Sequence, residues 1–145
     1  MQISVAEFLE KVSKLKKTQE KIDAIKANDS TVLRMILQAC YDPNVVWALP
    51  PGNPPYKPSA LVDQQHILIH ESRKIPYFIK GFRDDIPSAK REAMWIELLE
   101  AVDPKDAELL CAIKEKKPLK GITIQHVTEG LPGLIPNEQE SQKVS

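Results

Sequence analysis

Hydrophobic positions recur at helical spacing along most of the chain, and polar residues mark where each run begins. Val5, Phe8, Leu9, Val12 and Leu15 line one face at a period near 3.6 residues, and Ser4 with Glu7 has the form of a capping box before them. Lys14, Lys16 and Lys17 close this first helix, where positive charge suits the negative end of the helix dipole. Thr18 is read as the cap of a second helix with Ile22 and Ile25 inward, ending near Asn28. Asp29 or Ser30 starts a third, whose stripe is Val32, Leu33, Ile36, Leu37 and Cys40. The pattern then stops. Residues 49–58 read L-P-P-G-N-P-P-Y-K-P, and their five prolines remove backbone donors that a helix needs. An ordered, polyproline-like surface crossover is expected, with a Pro-rich ligand for an aromatic groove as the alternative.

A fourth helix is expected from about Ser59 to Lys74, burying Leu61, Leu68 and Ile69, before Pro76 and Gly81 break the periodicity across residues 75–86. Pro87 opens a fifth through Val102, with Ala89, Met94, Trp95, Leu98, Leu99 and Val102 inward. Asp103 followed by Pro104 is a strong helix start, so a sixth helix buries Ala107, Leu110 and Ile113 until Pro118 ends it. Thr123 caps a short seventh that stops before Gly130 and Pro132. The last ten residues are polar and aperiodic, as in a mobile tail. No repeat and no strand emerges. The expected fold is all-α, a compact bundle of about six or seven helices in one domain over residues 1–135, followed by the polar tail 136–145.

A chain of 145 residues can bury enough surface to fold without a disulfide or a metal. Lys plus Arg equals Asp plus Glu at 20 each, a balance that works against a whole-surface nucleic-acid binder and leaves room only for a local basic stripe. Cys40 and Cys111 sit among aliphatic residues and read as buried, reduced thiols, which suits a reducing cytoplasm. Glu7 and Glu10 in the first turns argue against a signal peptide, and no apolar run approaches the roughly 20 residues of a membrane span.

Candidate chemistry is sparse. His66 and His70 stand four apart with Glu71 beside them, but no further ligand follows at metal-site spacing, so surface histidines and no metal or cofactor are expected. The G-x-S-x-G, phosphate-loop and H-E-x-x-H motifs are absent. Basic residues carry more. Residues 114–121 read K-E-K-K-P-L-K-G and lead through Ile122 to Thr123. A glycine before a Thr-capped helix offers donors to an anion, and lysines beside it add phosphate attraction; a helix end with solvated lysines is the plainer alternative. Arg73 and Lys74, followed by Lys80 and Arg83, form a second basic group, separated from the first by the acidic Glu92, Glu97, Glu100, Asp103, Asp106 and Glu108. Trp47, Tyr56, Tyr77, Phe78 and Phe82 fall in irregular segments, where aromatic residues serve either cores or binding hot spots.

The strings D-A-E-L-L-C-A-I-K, K-G-I-T-I-Q-H-V and L-P-G-L-I-P-N-E-Q resemble the end of the helical N-terminal DNA-binding domain of tailed-phage ATP-dependent DNA ligases. A looser similarity runs upstream through Thr18–Asn28, Leu33–Tyr41 and Arg73-Lys74. The chain is also similar to small accessory proteins of T-even-type phages and cyanophages, some of which are associated with host RNA polymerase. The ligase resemblance implies phosphate contacts across the minor groove of duplex DNA by Lys120, Gly121 and Thr123, with Lys117, Arg73 and Lys74 as further contacts. Such ligases carry their nucleophile in K-x-D-G within a separate domain. The nearest string here is Lys21-Ile22-Asp23-Ala24, where alanine replaces the glycine and Ile22 and Ile25 place it within a helix.

The expectation is a non-catalytic phage accessory protein of the host-cell cytoplasm that binds duplex DNA. The alternative is a protein-interaction module that meets host RNA polymerase or a replication protein through Tyr56, Tyr77, Phe78 and Phe82. Incubation with labelled ATP and magnesium should leave the protein unlabelled on a denaturing gel; an adduct that disappears in Lys21→Ala would overturn the non-catalytic reading.

Overall fold

Ser4 turns the backbone into the first helix, its Oγ accepting from the Glu7 amide at 3.1 Å at the start of α1 (Val5–Ser13). The computed structural model describes residues 4–58 and 67–135. Over these residues the chain is all-helical: α1 is followed by α2 (Thr18–Ala27), α3 (Thr31–Tyr41), α4 (Ile67–Glu71), a 3-10 segment (Ser72–Phe78), α5 (Ser88–Ala101), α6 (Pro104–Lys114) and α7 (Ile124–Gly130). One isolated antiparallel bridge, Trp47 to Ile79, is the sole sheet-like pairing among the described residues. None of the described helices is long and apolar enough to cross a membrane.

The stripes read from the sequence form one core. Leu9, Leu33, Ile36, Leu37, Leu99, Leu110 and Ile113 are buried together, with Phe8 half-buried against them. Trp95 of α5 sits in the middle, edge-on to Trp47 at 5.7 Å and to Phe78 at 5.1 Å between ring centroids. The helices α1, α3 and α5 pack against α6, and α2 packs against α7. Gly130 permits that last approach, since a β-carbon there would lie 2.8 Å from Ile25 Cγ2. Cys40 and Cys111 are buried and free, as expected.

Several boundaries and contacts differ from expectation. Thr18 does not cap α2. It is the first helical residue, and Lys17 holds the cap position without a side-chain bond. The helix placed at Ser59–Lys74 is described only from Ile67, and it tightens into the 3-10 segment at Ser72, so Lys74 and Pro76 lie in the latter. Leu61 and His66 fall outside the described residues. Leu68 is buried, but its neighbour Ile69 is exposed. Ala89 is exposed in the first turn of α5, and Met94 is half-buried. Pro87 caps α5 rather than opening it, and α7 includes Gly130. Arg91, unassigned in the sequence pattern, is buried and holds the turn before α5, its Nε donating to the Tyr77 carbonyl at 3.1 Å and its Nη2 to the Arg83 carbonyl at 2.7 Å.

Asp106 ties α6 to α1. Its Oδ1 accepts from the Ala6 amide at 2.8 Å, while Oδ2 is buried with no hydrogen-bonding partner. Burial pushes this carboxyl up to about 6, against the opposing effects of the Ala6 amide and the Ser4 hydroxyl. A carboxyl whose folded pKa exceeds its unfolded value stabilises the fold below the unfolded value near 3.8 and loses that contribution as pH rises through about 6. Asp106→Asn should therefore remove a pH-dependent term of about 2–3 kcal/mol between pH 4 and 8. Urea melts of both proteins across this range provide the check. Parallel pH profiles for the two would show that Asp106 does not titrate as described.

Candidate nucleic-acid interface

The lysines of residues 114–121 do not act alike. Lys114 turns inward, its side chain only 2% exposed, and donates to the Pro50 carbonyl at 2.8 Å, the Gly52 carbonyl at 2.7 Å and Glu115 Oε2 at 2.8 Å. All three of its donors are thereby used. Glu115 completes the ring, with Oε1 accepting from the Gly52 amide at 3.0 Å. Lys116 reaches the C-terminal end of α3, donating to the carbonyls of Ala39 at 3.1 Å and Asp42 at 2.6 Å, and burial lowers its pKa. Lys116 takes a left-handed backbone, φ 57°, so α6 has already ended there and Pro118 is not the breaker. Lys117 and Lys120 are exposed, and among the described residues neither has a carboxylate within 4.0 Å.

The turn that carries them is braced from three helices. Cys40 Sγ of α3 donates to the Lys117 carbonyl at 3.2 Å. Tyr41 Oη accepts from the Leu119 amide at 2.9 Å and donates to the Ile122 carbonyl at 2.6 Å. Burial pushes the Cys40 thiol up to about 11 and the Tyr41 phenol up to about 12, so both remain protonated donors at neutral pH. From α2, Lys21 Nζ donates to the Gly121 carbonyl at 2.5 Å. The third support is steric. Gly121 has φ +77°, and a β-carbon on it would lie 2.8 Å from the Ser13 carbonyl oxygen at the end of α1.

Gly121 and Thr123 also have structural duties. Thr123 Oγ1 accepts from the His126 amide at 3.4 Å, and His126 Nδ1 accepts from the Thr123 amide at 3.0 Å. This is a capping box in which histidine takes the role usually held by glutamate. Burial, then the nearby Lys21, lower the His126 pKa and keep Nδ1 free to accept. The T-x-x-H spacing was visible in the sequence; the imidazole as an acceptor was the unread signal.

The second basic group is elsewhere. Arg73 is exposed and Lys74 pairs with Glu71 at 2.6 Å, both within the 3-10 segment that packs on α3 and α5. No hydrogen bond or ion pair among the described residues joins them to Lys117 or Lys120. The aromatic candidates also divide. Phe78 is fully buried against Trp95, so it is a core residue and not a surface anchor. Tyr77 is half-buried with the Arg83 guanidinium 5.5 Å from its ring centroid. Tyr56 lines a recess of about 200 Å³ with Lys117 and Cys111, and Phe82 stands 66% exposed. An open groove of about 830 Å³ between α1 and α6 has Leu9, Leu109 and Ala112 along it and Lys120 and Gly121 at its edge. His70 is exposed, and no cluster of three metal-ligating side chains exists among the described residues.

These features define a small all-helical protein in which Lys117 and Lys120, without an ion pair among the described residues, stand on a turn braced from three helices. The model of DUF6433, a family of unknown function, matches residues 8–120, and the chain belongs to that family. No curated protein matches the chain. The matched stretch includes Lys117 and Lys120, whereas Gly121, Thr123 and α7 lie beyond it.

Gly121→Ala must accept both a left-handed backbone and the clash with Ser13. A loss of about 1–3 kcal/mol is expected in chemical denaturation, and an alanine variant as stable as wild type would show that the loop does not rest on α1.

Proposed function

We propose that this protein is a non-catalytic module that binds duplex DNA by its phosphates, with Lys117 and Lys120 as contact cations. The observation that carries the reading is the splitting of the lysine run. Lys114 and Lys116 are consumed in bracing, while Lys117 and Lys120 are left exposed and, among the described residues, without ion pairs on a turn fixed by Cys40, Tyr41 and Lys21. A lysine whose backbone is already held loses only side-chain freedom on meeting a phosphate, so more of the attraction is retained as affinity. The ligase-like strings at residues 106–114 and 120–127 support the same end of the molecule. Gly121 and Thr123 then act by shaping the turn, and Arg73 is a secondary contact on another element. A phage accessory role in the host cytoplasm fits this reading.

A second reading, a module for a protein partner such as host RNA polymerase or a replication protein, is favoured by Phe82. Its ring is exposed on a turn that Arg91 and the Gly81 amide bond to Asp84 Oδ1, at 3.0 Å, hold in place.

Replacing Lys117 and Lys120 together by alanine should weaken duplex binding at every sequence and flatten the salt dependence by about 1–2 units of slope. Equilibrium titrations of labelled duplex at several salt concentrations measure this. Absence of wild-type binding at about 50 mM salt, where phosphate contacts are strong, would remove the DNA reading in favour of the protein one.

A further inference from the structure

The contact between Gly121 and Ser13 joins two lysine-rich segments that lie about a hundred residues apart in the chain. Residues 13–21 and 117–121 hold six lysines and one carboxylate, Glu20, in a protein whose overall charges balance. Lys14 is occupied with Glu10 at 3.3 Å, and Lys21 with the Gly121 carbonyl at 2.5 Å. Lys16 and Lys17 remain exposed, and neither has a carboxylate within 4.0 Å among the described residues.

Both follow the negative end of α1, but Lys17 is unfavourably placed for α2. Lys17 holds the cap position of α2, where a hydroxyl or carboxylate would accept first-turn amides, and its side chain makes no such bond. A cation at that end also opposes the helix dipole and adds to the repulsion among the neighbouring lysines. A serine there would stand three residues before Glu20 and complete a capping box. The arrangement therefore sacrifices local stability and concentrates positive charge beside the braced turn, which is the balance expected where an anionic partner supplies the missing neutralisation.

We infer that Lys16 and Lys17, on the linker between α1 and α2, belong to the same surface as Lys117 and Lys120 and take further backbone phosphates of a DNA duplex. The inference rests on the DNA reading above and extends it to a site built from two distant segments. Four lysines then meet a run of phosphates, and neutralising each phosphate contributes about −0.9 to the salt slope.

The test uses the full chain, a labelled DNA duplex and three variants. Lys16→Ala with Lys17→Ala should weaken binding at low salt and flatten the slope by about 1–2 units, as Lys117→Ala with Lys120→Ala does. Lys17→Ser should raise Tm by roughly 2–4 °C through the new cap while still weakening binding, a pairing that a purely structural lysine would not produce. Wild-type affinity and slope in the Lys16/Lys17 double variant, alongside a flattened slope in the Lys117/Lys120 one, would overturn the inference and leave the DNA reading standing. Lys17→Ser that is more stable but binds as wild type also overturns it for Lys17. Absence of any wild-type binding at about 50 mM salt overturns both.

Discussion

The burial of the Lys114 ammonium is the constraint from which much of the surface follows. An amine brought out of water must have every proton accepted, and here two crossover carbonyls and Glu115 accept them. Removing one partner from such an arrangement leaves an uncompensated charge, at a cost of about 3–5 kcal/mol. The Pro-rich crossover cannot therefore lift away from the end of α6. Prolines supply no amide donors, so a segment like 49–58 depends on its carbonyls and on side chains elsewhere for attachment. Lys114 meets that need at Pro50 and Gly52, and Glu100 meets it again by accepting from the Lys57 amide at 2.8 Å.

With Lys114 drawn to the crossover, the next residues must turn sharply, and the left-handed Lys116 makes that turn while satisfying two carbonyls near the end of α3. The chain then runs across α3, α2 and the end of α1 before α7 begins. Each support uses a group of different chemistry: a buried thiol, a buried phenol, an ammonium and the bare backbone of glycine. Bracing from several helices is what distinguishes this turn from an ordinary mobile connection, because movement would break contacts to all of them together. Lys117 and Lys120 are the cations this geometry leaves for solvent or a partner.

Membership of a family without an assigned function places the burden on that geometry. Net neutrality does not decide against an anionic partner, since potential depends on where charges stand and decays within about 10 Å at 0.1 M salt. Among the described residues Arg83 is matched to Asp85, Arg34 to Asp29 and Lys74 to Glu71, while Lys117 and Lys120 join Lys26, Lys57, Lys80 and Lys90 in having no carboxylate within 4.0 Å. The apolar groove beside the turn, with charges of both signs along it, is continuous with this end through Lys120 and Gly121.

The sequence by itself determined the helical class, most of the inward stripes, the caps at Ser4, Asp103 and Thr123, and the buried cysteines, and it narrowed the third cap to Asp29 or Ser30. Those are local matters of period 3.6 and of side chains that reach their own backbone within three residues. Elsewhere the local signal misled: Ile69 is exposed although the spacing turned it inward, and Lys17 rather than Thr18 holds the cap position of α2. Tertiary structure alone decided which lysines turn inward, why Gly121 is a glycine, and that Phe78 belongs to the core beside Trp95. Each of these depends on a partner between 17 and about a hundred residues away, and the number of acceptors or the space such a partner provides is not encoded in the spacing of neighbours along the chain.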